Sequence, residues 1–247
     1  MTGFASTAHA GLAVHAVQVD VPAQHYDATV AFWATALAAT PVRVVPGRFT
    51  HLAGASGAVG VHLQRLDDGA AGYHLDLAAD DLEAQRLRAV ALGATEVGAF
   101  DGGHTFHDPA GLAFCLVAGS ADDGLTRQPP GRAYLTGGFV DVPGHLVDTE
   151  LGFWSALLDA PIVPTDEPER YIGLAGLTGP VGPLLFEVQR IADDDRPRMH
   201  VDLAAADVAA EAARLESLGA TRVGQVENWV VLRDPSDHLF CVVPSHA

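Results

Sequence analysis

Residues 74–98 read HLDLAADDLEAQRLRAVALGATEVG, and residues 200–224 read HVDLAAADVAAEAARLESLGATRVG. The opening HLDLA alternates polar and apolar side chains with the period of a strand, so His74 and Asp76 fall on one face and Leu75 and Leu77 on the other. Asp80 is read as the N-cap of a following helix, with Glu83 three positions later and Leu82, Leu87 and Val90 as its apolar residues. Gly93 then closes the helix in the left-handed conformation that a residue without Cβ adopts at no cost. The second stretch repeats this plan, with His200 and Asp202 in the places of His74 and Asp76.

Outward from these two stretches the similarity continues. DVPAQHYDATVAFWATALAA (Asp20 to Ala39) matches DVPGHLVDTELGFWSALLDA (Asp141 to Ala160), and FHDPAGLAFCLV from Phe106 matches LRDPSDHLFCVV from Leu232. The spacing between equivalent residues is 121 at Trp33 and Trp154 and 126 at His74 and His200, so the second copy carries short insertions. The chain is therefore read as a tandem duplication with domains at 12–119 and 133–245, joined by a polar, proline-bearing linker at 120–132. Each copy divides again. A strand through HAVQVDV, a helix through DATVAFWATAL and strands through RFTHLA and VGVHLQRL make its first half. A strand, a helix and short strands around Glu96, Thr105 and Phe114 make its second. The expected class is α+β, with two βαβββ modules per copy. A lone module leaves one apolar sheet face bare, so modules must pair. Residues lining the hollow between paired sheets are where chemistry is sought.

The formal net charge is −17, from 14 basic and 31 acidic residues, which disfavours nucleic acid and anionic membrane as partners. No apolar run reaches membrane-span length and the N-terminal MTGFASTAHAG is neither basic nor greasy, so a cytoplasmic protein is expected. Cys115 and Cys241 lie in apolar strand-like runs and are read as buried thiols. No phosphate loop, dinucleotide fingerprint, CxxC, HExxH or GxSxG motif occurs, so neither a nucleotide cofactor nor a serine nucleophile is indicated.

The titratable residues that recur at equivalent positions stand out. His74 and His200 are open to three roles: structural hydrogen bonding, metal ligation, or acid–base work. His62 and Glu187 occupy matching places before a shared Gln-Arg pair, and imidazole and carboxylate both bind zinc, iron, nickel or manganese. His62, His74 and Cys115, with His15 as a fourth member, make a candidate set in the first copy. Glu187, His200 and Cys241 make an incomplete one in the second, where Thr136 stands opposite His15. His51, His104 and His107 are read as surface or rim residues, and Phe32–Trp33 and Phe153–Trp154 as helix-to-sheet core.

The paired motifs DVP…AFW and DVP…GFW, with HLDLAADD…LGAT…HDPAGLAFCLV and HVDLAAAD…LGAT…RDPSDHLFCVVP, make the chain resemble the vicinal oxygen chelate superfamily, in its glyoxalase-like and bleomycin-resistance-like branch. The resemblance spans nearly the whole chain as two tandem glyoxalase-like domains. It implies paired βαβββ modules around a U-shaped cavity and a divalent metal held by side chains from opening and closing strands. His15, His62, His74 and Cys115 fall on those positions in the first copy; Cys115 stands where the family usually has glutamate. In the second copy only His200 and Glu187 match, with Cys241 at the closing position and no ligand at Thr136. The resemblance thus implies two alternatives. One is a metal-dependent lyase, isomerase or dioxygenase-like enzyme with at most one divalent ion (Zn, Fe, Ni or Mn). The other is a metal-free protein that binds a small molecule or antibiotic. The sequence leaves catalysis itself undecided, as it does the choice between monomer and homodimer.

Overall fold

The computed structural model describes residues 11–55, 59–69, 71–119, 133–179 and 182–245; the linker expected at 120–132 lies outside them. The first repeat runs β1 (Leu12–Pro22), α1 (Tyr26–Ala36), β2 (Thr40–Val45), β3 (Phe49–Ala53), β4 (Gly60–Leu66), β5 (Gly72–Ala79), α2 (Leu82–Ala91), β6 (Thr95–Phe100), β7 (Gly103–His107) and β8 (Ala113–Ala118). The second opens with β9 (Tyr134–Pro143), α3 (Val147–Leu158), β10 (Ile162–Pro164) and β11 (Tyr171–Leu174). A two-residue hairpin of β12 (Thr178–Gly179) and β13 (Gly182–Pro183) follows, and then β14 (Leu185–Ile191). It closes with β15 (Arg198–Ala205), α4 (Val208–Ser217), β16 (Thr221–Val226), β17 (Trp229–Arg233) and β18 (Leu239–Pro244).

Each repeat forms one eight-stranded mixed sheet, in the order β2-β3-β4-β1-β5-β8-β7-β6 and, in the second, β10-β11-β14-β9-β15-β18-β17-β16. The module is thus βαβββ, four times over. Packing groups the modules differently from the chain order. One compact unit takes the described residues of 1–16, 74–122 and 138–199, and the other those of 17–73, 123–137 and 200–247. Each unit therefore joins one half of each repeat.

The aromatic residues explain this grouping. In one unit Trp154 of α3 meets Phe114 of β8 edge-on at 5.3 Å, with Phe153 5.8 Å from the same ring. In the other, Trp33 of α1 meets Phe240 of β18 at 5.2 Å and Phe32 lies 5.9 Å from it. Both tryptophans are 1 % exposed. Burying such rings contributes roughly 2–3 kcal/mol apiece. The expected role of both Phe–Trp pairs as core is what the structure shows. Arginine ties the helix ends in the same crossed manner: Arg88 of α2 donates to the Ala156 carbonyl near the end of α3, and Arg214 of α4 donates to the Ala36 carbonyl at 3.0 Å. A cation there satisfies carbonyls that the helix leaves without partners.

Two local expectations shift. The cap of α2 is Asp81, not Asp80; its carboxylate accepts from the Ala84 N–H at 3.0 Å, and Asp207 does the same for Ala210 in α4. Leu87 and Val90 are 55 % and 45 % exposed, and α2 instead buries Gln85 and Ala89. The helix turns its Gln85–Ala89 edge inward, where Ala89 permits close approach that leucine would not. Gly93 follows α2 with φ of +111°, and Gly219 follows α4 with φ of +116°, as a left-handed closure requires.

Candidate metal centres

Alternation on β5 places His74 and Asp76 on one face. The parallel neighbour β8 sets Cys115 directly beside Asp76 in register. The same registration on β15 and β18 sets Cys241 beside Asp202. The result is a His–Asp–Cys trio in each repeat, with one ligand atom from each residue lying within 4.8 Å of the others. Each trio lies inside a single compact unit.

The trios are nearly superimposable in chemistry. His74 Nε2 stands 3.4 Å from Asp76 Oδ1, and His200 Nε2 stands 3.6 Å from Asp202 Oδ1. At those lengths the contacts are electrostatic, not hydrogen bonds. Cys115 and Cys241 are both buried thiols outside any disulfide, as the sequence predicts. In the first trio Thr105 Oγ1 lies 3.5 Å from Cys115 Sγ. In the second, Thr136 donates from Oγ1 to the Asp202 carbonyl at 3.2 Å. The side chain of Asp76, 14 % exposed, is the more open of the two aspartates; that of Asp202 is 10 % exposed.

One imidazole, one carboxylate and one thiol form a mixed donor set suited to zinc or a comparable transition ion, and unlike the all-oxygen cages of calcium or magnesium. Tetrahedral coordination with bonds of about 2.0–2.3 Å puts donors roughly 3.3–3.8 Å apart. The trios are slightly wider than this at their limit, so small side-chain rotations close them on an ion.

His62 on β4 is buried opposite His51 on β3, the two rings stacked at 3.7 Å with 8° between their planes. They border a pocket of about 140 Å³ with Val42, Leu52, Gly60 and Val61. His15 is half-buried on β1, and Glu187 is half-buried on β14 opposite Gly173. None of the three belongs to a trio. His104 is held by Glu96 at 2.8 Å, and His107 is exposed. The aspartates Asp76 and Asp202 are the additions that the sequence ligand sets lacked, although the shared strand parity of the His-x-Asp motif was their signal.

A second pair of polar clusters lies under the tryptophans. In one unit Asp234 accepts from Trp33 Nε1 at 2.8 Å and from the Ser236 and His238 amides, and its carboxylate lies 3.0 Å from His238 Nδ1. His238 Nε2 meets the Asp20 carbonyl at 2.9 Å. In the other unit Glu150 accepts from Trp154 Nε1 at 3.1 Å, and Asp108 beside it accepts from the Leu112 amide at 2.8 Å. Two neighbouring buried carboxyl groups disfavour the second negative charge. Burial, then the charge of Asp108, pushes Glu150 up to about 8; burial likewise raises Asp108.

The glyoxalase-like domain family model matches residues 16–117 and again residues 140–243. No curated protein matches the chain by sequence. Among solved structures, a Mn(II)-bound glyoxalase from Novosphingobium aromaticivorans superimposes with a TM-score of 0.64 at 18 % identity, over 93 % of this chain and 81 % of that one. The 2,2′,3-trihydroxybiphenyl 1,2-dioxygenase of Sphingomonas wittichii gives 0.64 at 13 % identity, over 94 % and 90 %. Homoprotocatechuate 2,3-dioxygenase of Arthrobacter globiformis gives 0.65 at 12 % identity, over 94 % and 79 %. At these identities the superpositions speak for the fold alone. The two model matches cover most of the sequence, and the chain belongs to the glyoxalase-like domain family.

Proposed function

We propose that this protein is a divalent-metal-dependent enzyme acting on a small organic molecule, in the lyase, isomerase or dioxygenase range of chemistry. The observation that carries this reading is the His74–Asp76–Cys115 trio, whose three unlike donors converge within 4.8 Å on adjoining strands. His74, Asp76 and Cys115 would hold the ion, and an ion so bound supplies Lewis acidity toward a substrate oxygen. Asp76 is the most exposed member of the trio, while the buried His74 and Cys115 keep their donors away from bulk water. Thr105 positions the Cys115 sulfur. A small-molecule ligand is the expected partner, and one structural relative is described as Mn(II)-bound.

The stacked His51–His62 pocket favours a second reading, metal-independent binding of a small ligand. Its volume of about 140 Å³ is well under the roughly 300 Å³ at which drug-sized ligands begin to fit, which argues against an antibiotic-sized guest there. Elemental analysis of untagged protein, before and after chelation, separates the two. Bound transition metal that is lost in His74→Ala supports the enzyme. Protein that neither carries nor takes up zinc, iron, nickel, cobalt or manganese refutes it.

A further inference from the structure

The two polar clusters beneath the tryptophans occupy equivalent positions and are built from unlike parts. Thr29 and Glu150 are equivalent on α1 and α3, each one helical turn before its tryptophan. Ala110 and Leu112 correspond to Ser236 and His238 in the turns that follow Asp108 and Asp234. Where the helix supplies threonine, the turn supplies serine and histidine: Thr29 donates from Oγ1 to the His25 carbonyl at 2.9 Å and lies 3.0 Å from Ser236 Oγ, and His238 Nδ1 lies 3.0 Å from the Asp234 carboxylate. Where the helix supplies glutamate, the turn supplies alanine and leucine, and a second buried carboxyl stands beside Asp108. In both units the helix comes from one repeat and the turn from the other.

We propose that these unlike clusters act as a pairing key: they commit the first half of each repeat to the second half of the other, and bar either repeat from assembling with a second copy of itself. The chemistry of the mismatched combinations gives the reason. A first repeat paired with its own kind would set Thr29 and Trp33 against Asp108, Ala110 and Leu112. Asp108 would then be buried beside neither a second carboxyl nor an imidazole, and an uncompensated buried charge is strongly unfavourable. A second repeat paired with its own kind would set the longer Glu150 into the space beside Asp234, Ser236 and His238 that Thr29 fills. Specificity here comes from what the wrong partner leaves unpaired. The equivalent faces are otherwise alike, since each carries Phe–Trp on the helix and a phenylalanine on the strand.

Making the two keys identical in the full chain tests this. Ala110→Ser, Leu112→His and Glu150→Thr together give the Glu150–Asp108 cluster the composition of the Asp234–His238 cluster. Glu150→Thr alone should lower the urea midpoint markedly, and the triple variant should recover most of that loss. After unfolding in urea and refolding over a range of protein concentrations, the wild type should return to its starting hydrodynamic species. The triple variant should yield concentration-dependent exchanged oligomers by sizing with light scattering. The converse variant, Thr29→Glu with Ser236→Ala and His238→Leu, should behave likewise. Clean return of both variants to the wild-type species overturns the proposal. So does failure of both to fold cooperatively, because a complete key should be tolerated in either unit.

Discussion

Replacing Glu150 by glutamine should make the protein's stability less dependent on pH. Glu150 is wholly buried, accepts from Trp154 Nε1, and has the Asp108 carboxyl as its neighbour. Burial and the neighbouring carboxylate raise it from an ordinary 4.5 to about 8. In the folded protein it therefore keeps a proton over a range in which the unfolded chain has released it. The sign follows: its contribution is fully present below about pH 4.5 and is lost progressively as pH rises through about 8. A slope approaching 1.4 kcal/mol per pH unit gives a loss of ~3–4 kcal/mol between about pH 5 and pH 8. Glutamine reproduces the protonated form, since its carbonyl can accept from Trp154 and its amide N–H can donate to Asp108. Urea unfolding of wild type and Glu150→Gln at intervals across that range should show the two stabilities converging at low pH and the variant holding its value as the wild type weakens. Curves that stay parallel would show that no proton is held at Glu150.

Further outcomes follow from the same contacts. Trp33→Phe keeps the ring contact with Phe240 but withdraws the N–H from the buried Asp234 carboxylate, and should cost ~1–3 kcal/mol in urea unfolding. Asp81→Ala removes the side-chain cap of α2 and should cost about 1 kcal/mol, whereas Asp80→Ala should change stability by less than about 0.5 kcal/mol. Leu87→Gln, at an exposed site, should likewise be near neutral, while Ala89→Leu overpacks a fully buried position and should cost about 1–3 kcal/mol.

How far the sequence reaches is clearest at particular residues. The duplication, the βαβββ order and the Phe–Trp core were legible because their signals are local: strand alternation around His74, glycine at position 93, and aromatic pairs at matching helix positions. The face of α2 was misread because leucine and valine usually point inward, and only tertiary packing shows that Ala89 lies at the contact and Leu87 outside it. The cap moved by one residue because two adjacent aspartates offer the same chemistry, and only backbone direction selects Asp81. In the candidate site His74, His200 and the cysteines were legible, but the joining of Asp76 to Cys115 depends on parallel registration of β5 with β8, which no local pattern encodes. The crossed packing that brings Trp33 to Asp234 links residues 201 apart in sequence, beyond any periodicity argument.

The claim on which the functional account depends is that the His74–Asp76–Cys115 trio holds a transition metal. Cobalt(II) titration of metal-free, reduced protein tests it most directly, because a thiolate ligand gives the cobalt spectrum a charge-transfer band that nitrogen and oxygen ligands do not. Saturable binding with that band is predicted, and Cys115→Ser should abolish the band while Cys241→Ser leaves it in place. Cobalt that does not bind, or that binds with no sulfur band and is indifferent to Cys115→Ser and His74→Ala, would contradict the account.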